Sequence, residues 1–419
     1  MGSLADDPRN HLLNRNVRLF LGTAALLSGS LFGSYAILLN LFLLRLGYGT
    51  AFIGLANGAG LICWAIASPI AGARANRIGY RRLMLIGLSG VVGGSTLMPF
   101  GAAFEGTTRG VWLVVSHAIT FTGAGVFFVN MQPFMMGTVV PKLRSRVFSL
   151  SSATFPTAGF AGSLIGGFLP GLFAGWLGLA TDDPATFRYS LHLVALAVVP
   201  TLLLIGATRD IDPVQSTTKR GPGSKAPLMI IAVMTVLGIL RTFGEGSART
   251  FFNVYMDAGL DVETVKIGIT FAIAQLVAGP MALLSPILSN RIGTGPTALL
   301  AMTGVAICLV PMALIANPVA ATVGLIAILA LISIMRPAIA VYTMDLVRPE
   351  YWALMSGFVN FSWALGSGGT ALAGGVIISE SGYQGLFLTG AVVSGLGALL
   401  FARFLATRRN VAQSPYQDG

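Results

Sequence analysis

Four ionisable residues lie where apolar neighbours predominate. Arg241, Glu245 and Arg249 recur at i, i+4 and i+8 inside one apolar run, and Arg336 sits in another, just before Pro337. A spacing of four stacks the first three along one side of a helix, with the carboxylate between two guanidinium groups. Ionisable groups are expensive in apolar surroundings and persist where they pair with one another or face a polar cavity. Three positive charges against one negative leave a net positive site. That site suits a carboxylate, phosphate or sulfate held by charge-assisted hydrogen bonds from arginine. Glu245 is also a candidate proton carrier, should an arginine withdraw from it in one conformation. The plainer alternative is a structural ladder, in which Glu245 neutralises an arginine and holds its helix against its neighbours.

The elements that position these residues must be membrane helices. The 419 residues are 54% hydrophobic and 10% charged, with a mean hydropathy of +0.79, against about 25% charged in a soluble domain. A spanning helix needs roughly 20 apolar residues. Twelve runs qualify: 19–44, 51–73, 83–103, 111–137, 148–174 and 189–207, then 228–252, 266–289, 297–316, 318–344, 353–379 and 384–406. The predicted fold is therefore an all-α membrane protein of two six-helix bundles, 19–207 and 228–406. A polar tail (1–18) precedes them, a Pro-, Gly-, Ser- and charge-rich linker (208–227) joins them, and a second tail (407–419) follows. The N-terminal polar stretch shows no pattern of a removable signal peptide. Cys63 and Cys308 fall in apolar runs and read as small buried side chains. The three histidines are scattered and form no metal cluster, and no cofactor is implied.

The net charge of +11 raises the question of nucleic acid. With both tails on one side, 19 of the 26 Lys and Arg fall on that side of the twelve runs and four on the other. This asymmetry is the positive-inside rule. It predicts cytoplasmic termini, a multi-pass protein of the plasma (inner) membrane and a basic face toward the bilayer surface, without a nucleic-acid partner.

The two halves repeat each other. Asn76-Arg77-Ile78-Gly79 returns as Asn290-Arg291-Ile292-Gly293 at an offset of 214. Asn40 and Gly54 match Asn253 and Gly268 at 213 and 214, while Pro141 and Gly166-Gly167 match Pro349 and Gly374-Gly375 at 208. Matches in one order at nearly one offset indicate a duplicated six-helix unit.

On these features the chain resembles the major facilitator superfamily over nearly its whole length. The family signature after the second helix is matched by Gly72, Arg77, Gly79 and Arg81, with Asn76 where an aspartate is usual and Asn290 in the second copy. The resemblance makes these residues, with Arg291 and Gly293, a gating motif, and an asparagine there can cap the helix that follows. Gly159, Gly162, Gly166 and Gly167 of the fifth helix resemble the glycine-rich signature of the family's antiporters, with Ser163 where proline is usual. Small residues at this spacing, and Gly374 and Gly375 in the repeat, also serve close helix packing. The fourth-helix arginine of the family's drug antiporters is replaced by Ile119. The family's helices one, four, seven and ten surround its cavity. The resemblance thus places Tyr35, Asn40, His117, Asn253 and Tyr342 beside Arg241, Arg249 and Arg336 as candidate substrate-binding residues. His117 also has the plainer reading of a packing residue.

The expectation is a monomeric secondary transporter working by alternating access. It would export an anionic or amphipathic, even lipid-like, small molecule, with Glu245 as its proton-coupling group. Efflux of neutral drugs and uptake of a sugar or other polar nutrient are the alternatives within transport. An embedded lipid enzyme would need a paired acid and base or a metal cluster, which Glu245 between arginines does not supply. No phosphate-cradling loop for ATP is present in the sequence.

Overall fold

The computed structural model describes residues 12–209, 228–348 and 351–412. Most of the expected linker, and parts of both expected tails, lie outside the described residues, as does Pro349 of the repeat match. Within the described residues the chain is helical, with no strand.

Eleven segments are long and apolar enough to cross a membrane: α1 (Arg15–Arg45), α2 (Thr50–Ala75), α3 (Tyr80–Ala103), α4 (Gly106–Met135), α5 (Ala153–Leu177), α6 (Pro184–Gly206), α7 (Leu228–Gly259), α8 (Thr264–Met281), α9 (Thr294–Leu314), α10 (Pro318–Asp345) and α11 (Gly357–Arg408). The sequence predicted twelve runs, and the difference lies in α11. It covers 52 residues, about 78 Å of helix, more than twice the roughly 30 Å hydrocarbon core. Backbone with φ 69° at Gly382 interrupts its helical geometry between the runs expected at 353–379 and 384–406. Asn14 starts α1 earlier than expected by accepting the Val17 N–H at 3.0 Å.

Glycine sets the turns of the repeated motif. The helix carrying α2 ends at Ile78, and Gly79 turns the chain into α3 with φ 93° and ψ 141°. Gly293 turns the chain into α9 with φ 92° and ψ 157°. A side chain is strained in this region of backbone space. These glycines occupy the N-cap positions, and neither α3 nor α9 has a side-chain cap, so Asn290 does not cap the next helix as expected. The side chain of Asn76 lies outside the described residues. Arg81 donates to the carbonyls of Ile205 and Gly206 at the end of α6, where an arginine satisfies free helix-end carbonyls. Gly72, Arg77, Asn290 and Arg291 are exposed. The face bearing this motif also carries Asn14, bonded to the Thr138 carbonyl, and Asn16, bonded to Arg209. It is called the basic face below.

From midspan to the opposite face, the two halves meet along three helix pairs. On the α2–α11 pair, a Cβ on Gly54 would strike the Ala371 carbonyl and lie 3.0 Å from Gly375 Cα. On the α5–α8 pair, a Cβ on Gly268 would lie 2.7 Å from Gly167 Cα. Gly159 packs on Gln275, whose Nε2 reaches Ser163 Oγ at 3.4 Å. On the α1–α7 pair, Asn40 Nδ2 donates to Asn253 Oδ1 at 3.2 Å and to the Thr250 carbonyl at 2.7 Å, and Asn57 Nδ2 donates to Asn40 Oδ1 at 2.8 Å. Nearer the opposite face, Arg45 grips Asp257 through two 2.7 Å bonds. Within the first half, a π-helical stretch of α1, Ser28–Tyr35, lies on α5 through Gly29, Gly33 and Gly162. Gly374 packs on Phe251. The glycines of the fifth helix and their repeat partners thus stand where helices approach closely.

Candidate substrate site

The ion cluster is built by α7, α10 and the first arm of α11. Glu245 stands near the middle of α7 and is 2% exposed. Its Oε1 accepts from Arg336 Nη2 at 2.6 Å, from Arg249 Nε at 3.2 Å and from Trp363 Nε1 at 3.5 Å. The Arg336 guanidinium also lies over the Trp363 ring, 5.6 Å from its centroid, a cation–π contact that favours arginine over lysine. Both arginines keep open surface, 43% for Arg249 and 49% for Arg336. Two half-open arginine side chains thus stand at midspan, anchored by one buried carboxylate.

Aromatic rings of the first half join this cluster. Trp64 of α2 stands edge-on to Trp363, with 6.0 Å between centroids, and stacks on Phe128 of α4 at 5.2 Å. Phe128 meets Phe32 of α1 at 5.7 Å and Phe155 of α5 at 5.6 Å, and Phe121 lies 6.0 Å from Trp64. All five rings are half-buried. The result is a charged patch from the second half and an aromatic patch from the first, joined where the two tryptophans touch. Aromatic surface takes up apolar groups and stacks on flat ones.

The repeat relates these patches to one another. At the offsets that align the halves, 213 for α1 with α7 and 208 for α4 with α10 and α5 with α11, Glu245 corresponds to Phe32, Arg336 to Phe128 and Trp363 to Phe155. One triad of touching side chains thus exists twice, once aromatic and once charged.

The candidate binding residues separate into four places. Arg249 and Arg336 meet at Glu245. Arg241 is 7% exposed and lies inside the second half, with its Nη1 4.0 Å from Met335 Sδ, so the ladder of three aligned charges does not form. Tyr35 and His117 stack inside the first half and share a 3.1 Å hydrogen bond between Tyr35 Oη and His117 Nδ1, both fully buried. Asn40 and Asn253 belong to the seam that closes the opposite side. Tyr342 packs near the basic face against Phe401 and Gly295. Sequence reasoning missed Trp363, Trp64, Phe32, Phe128 and Phe155. The repeat offset applied to Glu245 and Arg336 finds Phe32 and Phe128.

This arrangement is that of a polytopic helical membrane protein in which a charged and an aromatic patch meet at midspan between two repeated halves. The chain belongs to the Major Facilitator Superfamily, whose family model matches residues 19–335. No curated protein matches the sequence. The fold is similar to several solved transporters. A mutant of the nucleoside transporter NupG has 15% identity and a TM-score of 0.72, over 92% of this chain and 99% of that one. The xylose transporter XylE from E. coli, in an inward-open conformation, has 14% identity and a TM-score of 0.71, over 92% and 96%. A bacterial homologue of the human lysosomal transporter Spinster, inward-facing and unoccupied, has 16% identity and a TM-score of 0.71, over 96% and 99%.

Proposed function

We propose that the protein is a secondary active transporter of amphipathic organic anions, working by alternating access. The observation that supports this reading is the meeting of two open arginines with an aromatic patch at midspan. Arg249 and Arg336 would hold the anionic group. Trp64, Phe32, Phe128 and Phe155 would hold the apolar body. With the basic face cytoplasmic, as the distribution of Lys and Arg favours, the seam closes the outside and the cavity faces the cytoplasm of a plasma (inner) membrane. Export is the direction that the glycine run of α5 suggests, and Glu245 is the group through which a proton gradient would act.

The test is thermal stabilisation of the purified full chain by three probes of one shape: 2-naphthalenesulfonate, 2-naphthol and 2-naphthylmethylammonium. The expected result is stabilisation by the sulfonate, weakened at least about tenfold in affinity by Arg249→Ala or Arg336→Ala. Phe128→Ala, at the repeat position of Arg336, should weaken sulfonate and naphthol alike. Counterflow of the sulfonate in liposomes then establishes turnover, and its rate in the two membrane orientations establishes direction. Stabilisation by the ammonium probe alone overturns the proposal.

A further inference from the structure

The carboxylate of Glu245 is used on one side only. Its Oε1 takes all three donors, while Oε2 is buried without a hydrogen-bond partner. A buried carboxylate oxygen with no donor is costly, and the structure shows what stands near it. Glu245 and Arg241 border the same narrow gap, whose other walls are Met302, Val305, Ile332, Met335 and Ser394. Ser394 Oγ is engaged by the Gly244 N–H at 2.9 Å. Arg241 itself is nine-tenths buried, and the polar contact found for it is the Met335 thioether at 4.0 Å. One turn of α7 separates the two residues, close enough for their side chains to meet.

We propose that Arg241 is the second partner of Glu245, engaged when an anionic substrate takes Arg249 and Arg336. This inference rests on the reading of the site given above. An anion arriving at those arginines competes with Glu245 Oε1 for the same donors, and two negative groups at one spot repel. Rotation of the Glu245 side chain into the gap removes that repulsion and brings the carboxylate to Arg241. The thioethers of Met302 and Met335, flexible and polarisable, let the gap reshape around the new pair. The carboxylate would move between two sets of arginines, and its position would report whether the site is loaded. Arg241 is then a positioning residue that touches no substrate.

The experiment is a double-mutant cycle on the purified full chain, read by calorimetric titration with 2-naphthalenesulfonate. Arg241→Met should weaken probe binding at least about tenfold when Glu245 is present and less than about twofold in the Glu245→Gln background. Arg241→Lys should retain most of the wild-type affinity. Equal losses in both backgrounds overturn the inference, because a purely structural arginine does not depend on Glu245. A second measurement needs no Arg241 variant. Probe-induced difference infrared spectra of the wild type should show a shifted Glu245 carboxylate band that is missing in Glu245→Gln. Probe binding without that shift overturns this inference alone, whereas absence of probe binding overturns the transport reading as well.

Discussion

Phe32, Phe128 and Phe155 in the first half occupy the repeat positions of Glu245, Arg336 and Trp363 in the second. Each triad is a set of touching side chains on three different helices. The backbone therefore brings the same three positions together twice, and only the chemistry has diverged. At the seam the opposite holds. Asn40 bonds to its own repeat partner Asn253, and the Gly54–Gly375 approach is mirrored by Gly268–Gly167. The two asparagines and four glycines of these contacts are retained in both copies, while the triads at midspan differ. Under the proposed function, that difference gives an amphipathic anion one charged wall and one apolar wall.

The largest effect should come from the duplicated seam. Gly54→Leu drives a side chain into the Ala371 carbonyl, and Gly268→Leu drives one into Gly167. Neither obstacle is the far end of a flexible side chain, so the backbones must part. Both variants should lose counterflow in liposomes to background level, and to the same degree. Gly175→Leu, where a Cβ meets nothing within 4 Å, should keep it. Full activity in one seam variant and none in the other would break the symmetry argued above.

The sequence made the helices, the basic face and the repeat legible for physical reasons, but it placed Asn40 and Asn253 at the substrate site rather than in the seam. Apolar runs of spanning length admit one reading, and the glycine and asparagine matches repeat because both halves use them for close approach. Sequence reasoning also singled out Glu245, Arg249 and Arg336, which pair in the structure, since charges in apolar runs are rare and costly. It misplaced Arg241. Helical spacing aligned it with Glu245, but a side chain's direction depends on what packs around it, and Met335 and its neighbours hold Arg241 inside the second half. Tyr35, His117 and Tyr342 were polar residues on helices expected to line the cavity, yet a helix turns only part of its circumference to that cavity. The aromatic patch went unseen because phenylalanine in an apolar run carries no signal of its own.

A smaller effect is expected at the one charged contact across the seam among the described residues, which the repeat does not duplicate. Arg45 and Asp257 are bidentate and partly buried, so the pair is stronger than an open surface bridge, which contributes 0.2–1 kcal/mol. Arg45→Ala should shift the equilibrium toward the state open on that face by about fivefold, or about 1 kcal/mol. Labelling of an Ala36→Cys variant by an impermeant maleimide added from that face measures the shift. The exchange Arg45→Asp with Asp257→Arg should return labelling toward the starting rate. Unchanged labelling in Arg45→Ala would mean that the asparagines and glycines close the seam unaided.

The smallest effect on transport is expected at Tyr35 and His117, the polar pair peculiar to the first half. Their repeat positions are Ala248 and Leu325, both fully buried, so the fold does not demand polar groups there. The pair satisfies itself on one side, while His117 Nε2 is buried without a partner. Tyr35→Phe removes the bond to His117 Nδ1 and leaves a second buried nitrogen bare, at a cost of about 1–3 kcal/mol in stability. Removing both polar groups is different, because apolar replacements of similar shape leave nothing unsatisfied. Tyr35→Phe alone should lower Tm, and adding His117→Leu should restore much of it, with probe affinity changed less than about twofold throughout. Were His117 the proton carrier, the double variant would regain stability and yet lose counterflow driven by a pH gradient. That outcome would assign the proposed proton coupling to His117 rather than to Glu245.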